Sequence, residues 1–179
     1  MRAVPGVFGG SAIAIVLAAL SGAGCKSSGA TDDAGVIGDV DFVNCLAETR
    51  APPFQQGMQV TSGNGIYLVK VLRNTFQDDM GRVLTIAPAK GVDSWTIETD
   101  TAATGTPLDG MSIAVKPFMP DHNHGTTAVG VTAAGAGTYT IYPLNLYMAG
   151  YWEITFNLTD MSGDGPVTDS AMVPICVPD

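Results

Sequence analysis

The stretch Tyr151-Trp152-Glu153-Ile154-Thr155-Phe156-Asn157-Leu158 decides the fold. Its apolar residues Trp152, Ile154, Phe156 and Leu158 alternate with Tyr151, Glu153, Thr155 and Asn157. Successive side chains of an extended chain point to opposite faces, so this period of two predicts a strand with one buried and one wet face. The rhythm recurs on both sides. Ile113 and Val115 alternate with Ser112, Ala114 and Lys116, and Trp95 and Ile97 alternate with Thr96 and Glu98. Ala171, Val173, Ile175 and Val177 share a face, and Tyr67, Val69 and Val71 stand opposite Ile66, Leu68 and Leu72. Shorter strands are expected at Val83 to Ile86, Ala128 to Thr132 and Thr138 to Tyr142. Turn residues separate them, as at Ser62-Gly63-Asn64-Gly65 and Ser162-Gly163-Asp164-Gly165-Pro166. Leu144 to Gly150 reads as at most a short turn of helix, and no segment sustains a helical period. Seven or eight short strands with frequent turns predict an all-β chain, an immunoglobulin-like antiparallel β-sandwich, with a small barrel as the alternative.

The ends of the 179-residue chain carry other signals. Arg2 precedes the apolar run Ser11 to Leu20, which is shorter than the roughly twenty residues a membrane-spanning helix needs. It matches the hydrophobic region of a secretory signal. Leu20-Ser21-Gly22-Ala23-Gly24-Cys25 predicts a lipoprotein-type signal over residues 1–24 with Cys25 as the lipidated first residue, although leucine lies further upstream than such signals usually place it. An ordinary signal peptidase site and a secreted protein are the alternative. Residues 25–41 are small, polar and acidic, the composition of a flexible tether. Residues 42–179 then form one domain of ordinary size. By resemblance to lipoprotein sorting in Gram-negative cells, Lys26 after the cysteine implies the outer membrane, facing the periplasm.

Cys45 and Cys176 stand near the two ends of the domain. In an exported protein such a pair is expected to form a disulfide, which would hold the ends together. Their isolation, with no Cys-x-x-Cys spacing, ranks a metal role below the structural one. Beyond Cys25 seventeen acidic residues face seven basic ones, a formal charge of about −10. Such a chain lacks the clustered lysine and arginine that nucleic acid requires. Nucleophile elbows, His-Glu-x-x-His and phosphate-cradling glycine loops are absent, so the chain is read as a non-enzyme. Trp95 and Trp152 are expected in the core.

Both histidines lie in Pro117-Phe118-Met119-Pro120-Asp121-His122-Asn123-His124-Gly125. In an extended segment His122 and His124 would project to one side and could share an ion. Met119, expected in a proline-bracketed loop, adds a soft thioether. Imidazole nitrogen with thioether sulfur suits copper better than magnesium or calcium, which prefer oxygen. The same pair in a polar turn could equally be a solvated loop. Met148 is the second candidate thioether. A methionine before Ala149-Gly150-Tyr151 is commonly gap-filling core, and it becomes a ligand only if its turn folds beside the histidines.

The run from about Asp93 to Asp160 resembles the YtkA-like and FixH-like domains of bacterial envelope proteins. The resemblance rests on a strand ending in Pro117-Phe118-Met119-Pro120, the Asp121-His122-Asn123-His124-Gly125 segment, Gly137-Thr138-Tyr139, and Met148-Ala149-Gly150-Tyr151-Trp152 leading into a strand. It implies an immunoglobulin-like sandwich outside a membrane, with a YtkA-like core over about 93–160. For FixH-like members it also implies a link to copper delivery. Met119, His122, His124 and Met148 fall on its motif positions. FixH-like proteins are held by a transmembrane helix, whereas this chain carries a lipoprotein-type signal.

Two functions follow as expectations. One is a lipid-anchored copper carrier or chaperone of the cell envelope, bound to the membrane through its lipid and serving a copper-dependent envelope protein. The other is a metal-free immunoglobulin-like module that binds or supports another envelope protein.

Overall fold

The computed structural model describes residues 45–179. The expected signal peptide, the lipidated Cys25 and the tether of residues 25–41 lie outside the described residues. Ten strands form within them: β1 (Met58–Thr61), β2 (Tyr67–Gln77), β3 (Val83–Leu84), β4 (Gly91–Thr101), β5 (Ser112–Met119), β6 (His124–Gly125), β7 (Gly130–Gly135), β8 (Thr138–Leu146), β9 (Gly150–Asp160) and β10 (Val167–Val177). One sheet has the order β1-β2-β4-β8-β7 with β3 also on β2, and the other the order β10-β9-β5-β6. Every strand pairing is antiparallel. The expected sandwich is therefore present. The two strands beyond the expected eight are β1 and the two-residue β6, while the strand expected at Val83 to Ile86 is present as β3, shortened to Val83–Leu84.

The alternating rows do what their period demands. Trp152, Ile154, Phe156 and Leu158 of β9 are buried, as are Val69 and Val71 of β2, Trp95 and Ile97 of β4, and Val173, Ile175 and Val177 of β10. Across the interior Trp95 stacks on Phe156, with ring centroids 6.3 Å apart. Burying one such side chain contributes about 1.5–3 kcal/mol, so these rows dominate the stability of the sandwich.

Two expectations change. Leu144 to Leu146 is not a turn of helix but the end of β8, with Leu144 and Leu146 fully buried. The reason is an irregular register: Trp95 pairs with Ile141 but Asp93 with Leu144. The extra residue on β8 moves the inward positions from odd numbers to even ones, which conceals the period of two. Likewise Met119, expected in a proline-bracketed loop, lies on β5, which runs through Pro117, Phe118 and Met119 as the resemblance implied. A β-carbon added to Gly125 would lie 2.9 Å from the Pro117 carbonyl oxygen. Pro117 thus turns its backbone polar side toward the sheet edge, where a missing N–H removes no bond to β9.

Cys45 and Cys176 form the expected disulfide, with α-carbons 5.5 Å apart and 131 positions between them in sequence. It closes nearly the whole described chain. Replacing both cysteines by alanine is expected to lower unfolding stability by about 4–5 kcal/mol at most; chemical denaturation beside a reduced wild-type sample checks it, and an unchanged midpoint refutes it.

The core also contains a carboxyl. Asn74 and Asp93 are both fully buried, and the Asn74 side-chain amide donates to Asp93 Oδ1 at 2.7 Å and to the Ile86 carbonyl at 3.1 Å. The Ala89 N–H donates to the same Asp93 oxygen at 3.3 Å. Asp93 Oδ2 has no partner. Burial pushes the Asp93 carboxyl up to about 6, against the opposing effect of those hydrogen bonds. A carboxyl whose folded value exceeds its unfolded value of about 4 stabilises most below pH 4, and that contribution is lost as pH rises through 6. The stability of the wild type relative to Asp93→Asn is expected to fall between pH 4 and 7 by on the order of 2–3 kcal/mol. Urea unfolding across that range measures it, and a pH-independent difference refutes it.

Candidate metal centre

The two histidines sit at one end of the sandwich, in the connection between β5 and β6. Met119 ends β5; Pro120 to His122 make one 3-10 turn; Asn123 takes the left-handed conformation with φ 51° and ψ 43°. Pro120 supplies a fixed φ at the start of the turn, and asparagine tolerates the left-handed region better than most residues. The Asn123 N–H closes the turn on the Pro120 carbonyl at 3.1 Å. His124 then pairs with Met119, and Gly125 with Phe118. The His122 and His124 rings are 5.9 Å apart between centroids and tilted by 59°. Their proximity comes from this tight turn, not from the extended segment expected from sequence.

The connection from β8 to β9 lies beside it. Gly150 has a φ of 130°, and a β-carbon there would come within 2.5 Å of the Met119 methyl carbon. Glycine at this position allows both the backbone angle and the close approach. Met119 thereby packs into the other turn. It is 1% exposed and belongs to the core. The loop position expected for it is corrected: it is a strand residue whose side chain is spent on packing.

Met148 has the opposite fate. Its sulfur lies 3.3 Å from His124 Nε2. The other ring nitrogen, Nδ1, is 3.1 Å from the Gly125 carbonyl oxygen. The Gly125 carbonyl oxygen and the Met148 thioether sulfur can both only accept, so each ring nitrogen has an acceptor within reach and the tautomer decides which contact carries the proton. In the tautomer with the proton on Nδ1, an imidazole nitrogen lone pair faces the thioether sulfur. Ligands of one ion with bonds of about 2.0 and 2.3 Å stand roughly 3.5 Å apart, so the observed separation is compatible with two ligands of one soft ion as well as with an N–H···S hydrogen bond. Among the described residues no group of three or more His, Cys, Asp or Glu gathers as a metal site; the set here depends on sulfur.

Trp152, read from sequence as core only, also holds this site. Its indole N–H donates to the Met148 carbonyl at 2.9 Å, and the His124 ring meets it edge-on with centroids 6.0 Å apart. A cavity of about 280 Å³ opens between His124, Tyr147, Met148 and Trp152, floored by Asn145. Asn145 donates to Thr127 Oγ1 at 2.5 Å, tying the strand before Met148 to the segment after His124. A larger groove of about 620 Å³ follows the outer face of β5 and β9 past Lys116 and Glu153. It contains neither histidine.

Arg50 was not singled out in the sequence, yet it contacts the histidine turn. It donates to both carboxylate oxygens of Asp121, at 2.6 and 2.7 Å, and to Glu48 at 2.7 and 3.0 Å. Its guanidinium stacks 4.2 Å from the Tyr151 ring centroid. The guanidinium holds the Asp121 and Glu48 carboxyls below their usual range. No sequence signal near Arg50 announces this, because its partner lies 71 positions away.

Residues 82–157 match the model of the YtkA-like family. This stretch is similar to YtkA-like domains. The match begins before the expected core of 93–160 and ends within β9, so it includes both turns of the candidate centre. YtkA-like is not a known enzyme family. No curated protein and no solved structure matches the chain.

Trp152→Phe keeps an aromatic ring but deletes the N–H that holds the Met148 carbonyl. A loss of about 1–3 kcal/mol is expected, together with shifted His124 imidazole resonances. Denaturation and histidine NMR check it; unchanged values in both refute the positioning role.

Proposed function

We propose that this YtkA-like domain binds a single cuprous ion and carries it within the cell envelope. The observation that supports this most is the pairing of His124 Nε2 with the Met148 sulfur, with the Gly125 carbonyl placed to accept from Nδ1. An outer-shell carbonyl on the second imidazole nitrogen is the usual partner of a metal-ligating histidine. His122 completes a set of neutral nitrogen and sulfur donors, the chemistry that favours cuprous copper over hard cations. Met119 supports the site from below by packing against Gly150.

The same reading puts the domain on a membrane. Lipidated Cys25 would anchor it, on the outer membrane facing the periplasm, with a copper-dependent envelope protein as its partner. Half-exposed His124 and exposed Met148 suit a carrier, because a receiving ligand can reach the ion without unfolding the site.

The purified chain is expected to bind one equivalent of cuprous ion tightly under reducing conditions, measured by competition with a chromophoric chelator. His122→Ala/His124→Ala should abolish binding, and Met148→Leu should weaken it about tenfold or more. Weak binding, or binding that survives loss of both histidines, overturns the proposal and leaves the metal-free interaction module.

A further inference from the structure

Asp121 adjoins His122 in the 3-10 turn that carries the first histidine of the candidate centre. Carboxylate beside two imidazoles is a donor set that zinc and cupric ions accept readily. Yet this carboxylate is already taken. Both of its oxygens accept from Arg50, one from each terminal nitrogen, at 2.6 and 2.7 Å. Parallel charge-assisted bonds of this kind are the strong form of the guanidinium–carboxylate pair.

Arg50 itself is held from three other directions. Its side chain donates to both oxygens of Glu48, its backbone N–H donates to Glu48 Oε1 at 2.7 Å, and its guanidinium lies over Tyr151. The next residue, Ala51, is buried, and Cys45 ties the same segment to Cys176, which pairs with Tyr151 across β9 and β10. These contacts hold the arginine, 45% exposed, at the surface beside the histidine turn.

We infer that Arg50 sets the metal selectivity of this centre by withholding the Asp121 carboxylate from it. The inference rests on the cuprous reading above. With Arg50 in place the centre offers uncharged nitrogen and sulfur, and the nearby guanidinium opposes a divalent cation more than a monovalent one. Without it, two carboxylates lose their counter-ion, and Asp121 becomes an anionic oxygen donor next to His122. Arg50 is a positioning residue; it touches no ion.

The test compares wild type, Arg50→Gln, Arg50→Lys and Arg50→Gln/Asp121→Asn, titrated separately with zinc, cupric and cuprous ions, with circular dichroism as a check of folding. Arg50→Gln is expected to tighten zinc and cupric binding about tenfold or more while cuprous affinity stays within about twofold. Adding Asp121→Asn should cancel the gain. Arg50→Lys, a single point charge without the two-pronged fork, should fall between. Unchanged zinc and cupric affinity in folded Arg50→Gln overturns the inference even if wild type binds cuprous ion. Wild type that binds no cuprous ion overturns the copper reading instead, and the gain and its cancellation with zinc still decide the role of Arg50.

Discussion

The inward row of β9 cannot be satisfied by the sheet that carries it. Trp152, Ile154, Phe156 and Leu158 present a continuous apolar face, and leaving it in water forfeits about 1.5–3 kcal/mol for each residue. Only a second sheet with its own apolar rows covers it, and Trp95 stacked on Phe156 marks where the two sheets meet. Both sheets must then turn at their ends. The turns are where polar and reactive side chains collect without disturbing the interior.

That geometry explains why the candidate centre is built from two connections and not from one motif. The turn after β5 brings His122 and His124, and the turn before β9 brings Met148. Trp152 joins the two levels, since its ring belongs to the core while its N–H fixes the Met148 backbone. The fit of Met119 against Gly150 works in the same direction. Of two methionines that look alike in sequence, one sets the spacing of the turns and the other presents its sulfur. The division follows from burial: a thioether in the core is a filler, and one that is 37% exposed beside an imidazole nitrogen stays accessible.

Charge is organised around the same end of the molecule. Of seven basic residues beyond Cys25, Arg50 is placed against Asp121 and Glu48. A separate ion pair inside the other sheet joins Lys70 to Glu98 and to the fully buried Asp100. The Lys70 pairing neutralises a carboxylate that burial would otherwise make costly. Asp93 has no such cation and meets burial by holding its proton more tightly.

The sequence by itself determined the strand rows, the two-sheet class, the disulfide and the pairing of histidines with methionines as candidates, because each is a local pattern or a simple count. The period of two is visible wherever a strand runs without interruption, as in β9 and β10. It fails at the irregular register in β8, where Leu144 and Leu146 change parity, and a true strand end looks like a helical turn. Only the tertiary structure decided which methionine reaches a histidine, that Trp152 holds Met148 and that Arg50 holds Asp121. These relations join residues 4 to 71 positions apart. Most are contacts across the end of the sandwich, and their distances depend on how two sheets pack, which local sequence does not encode.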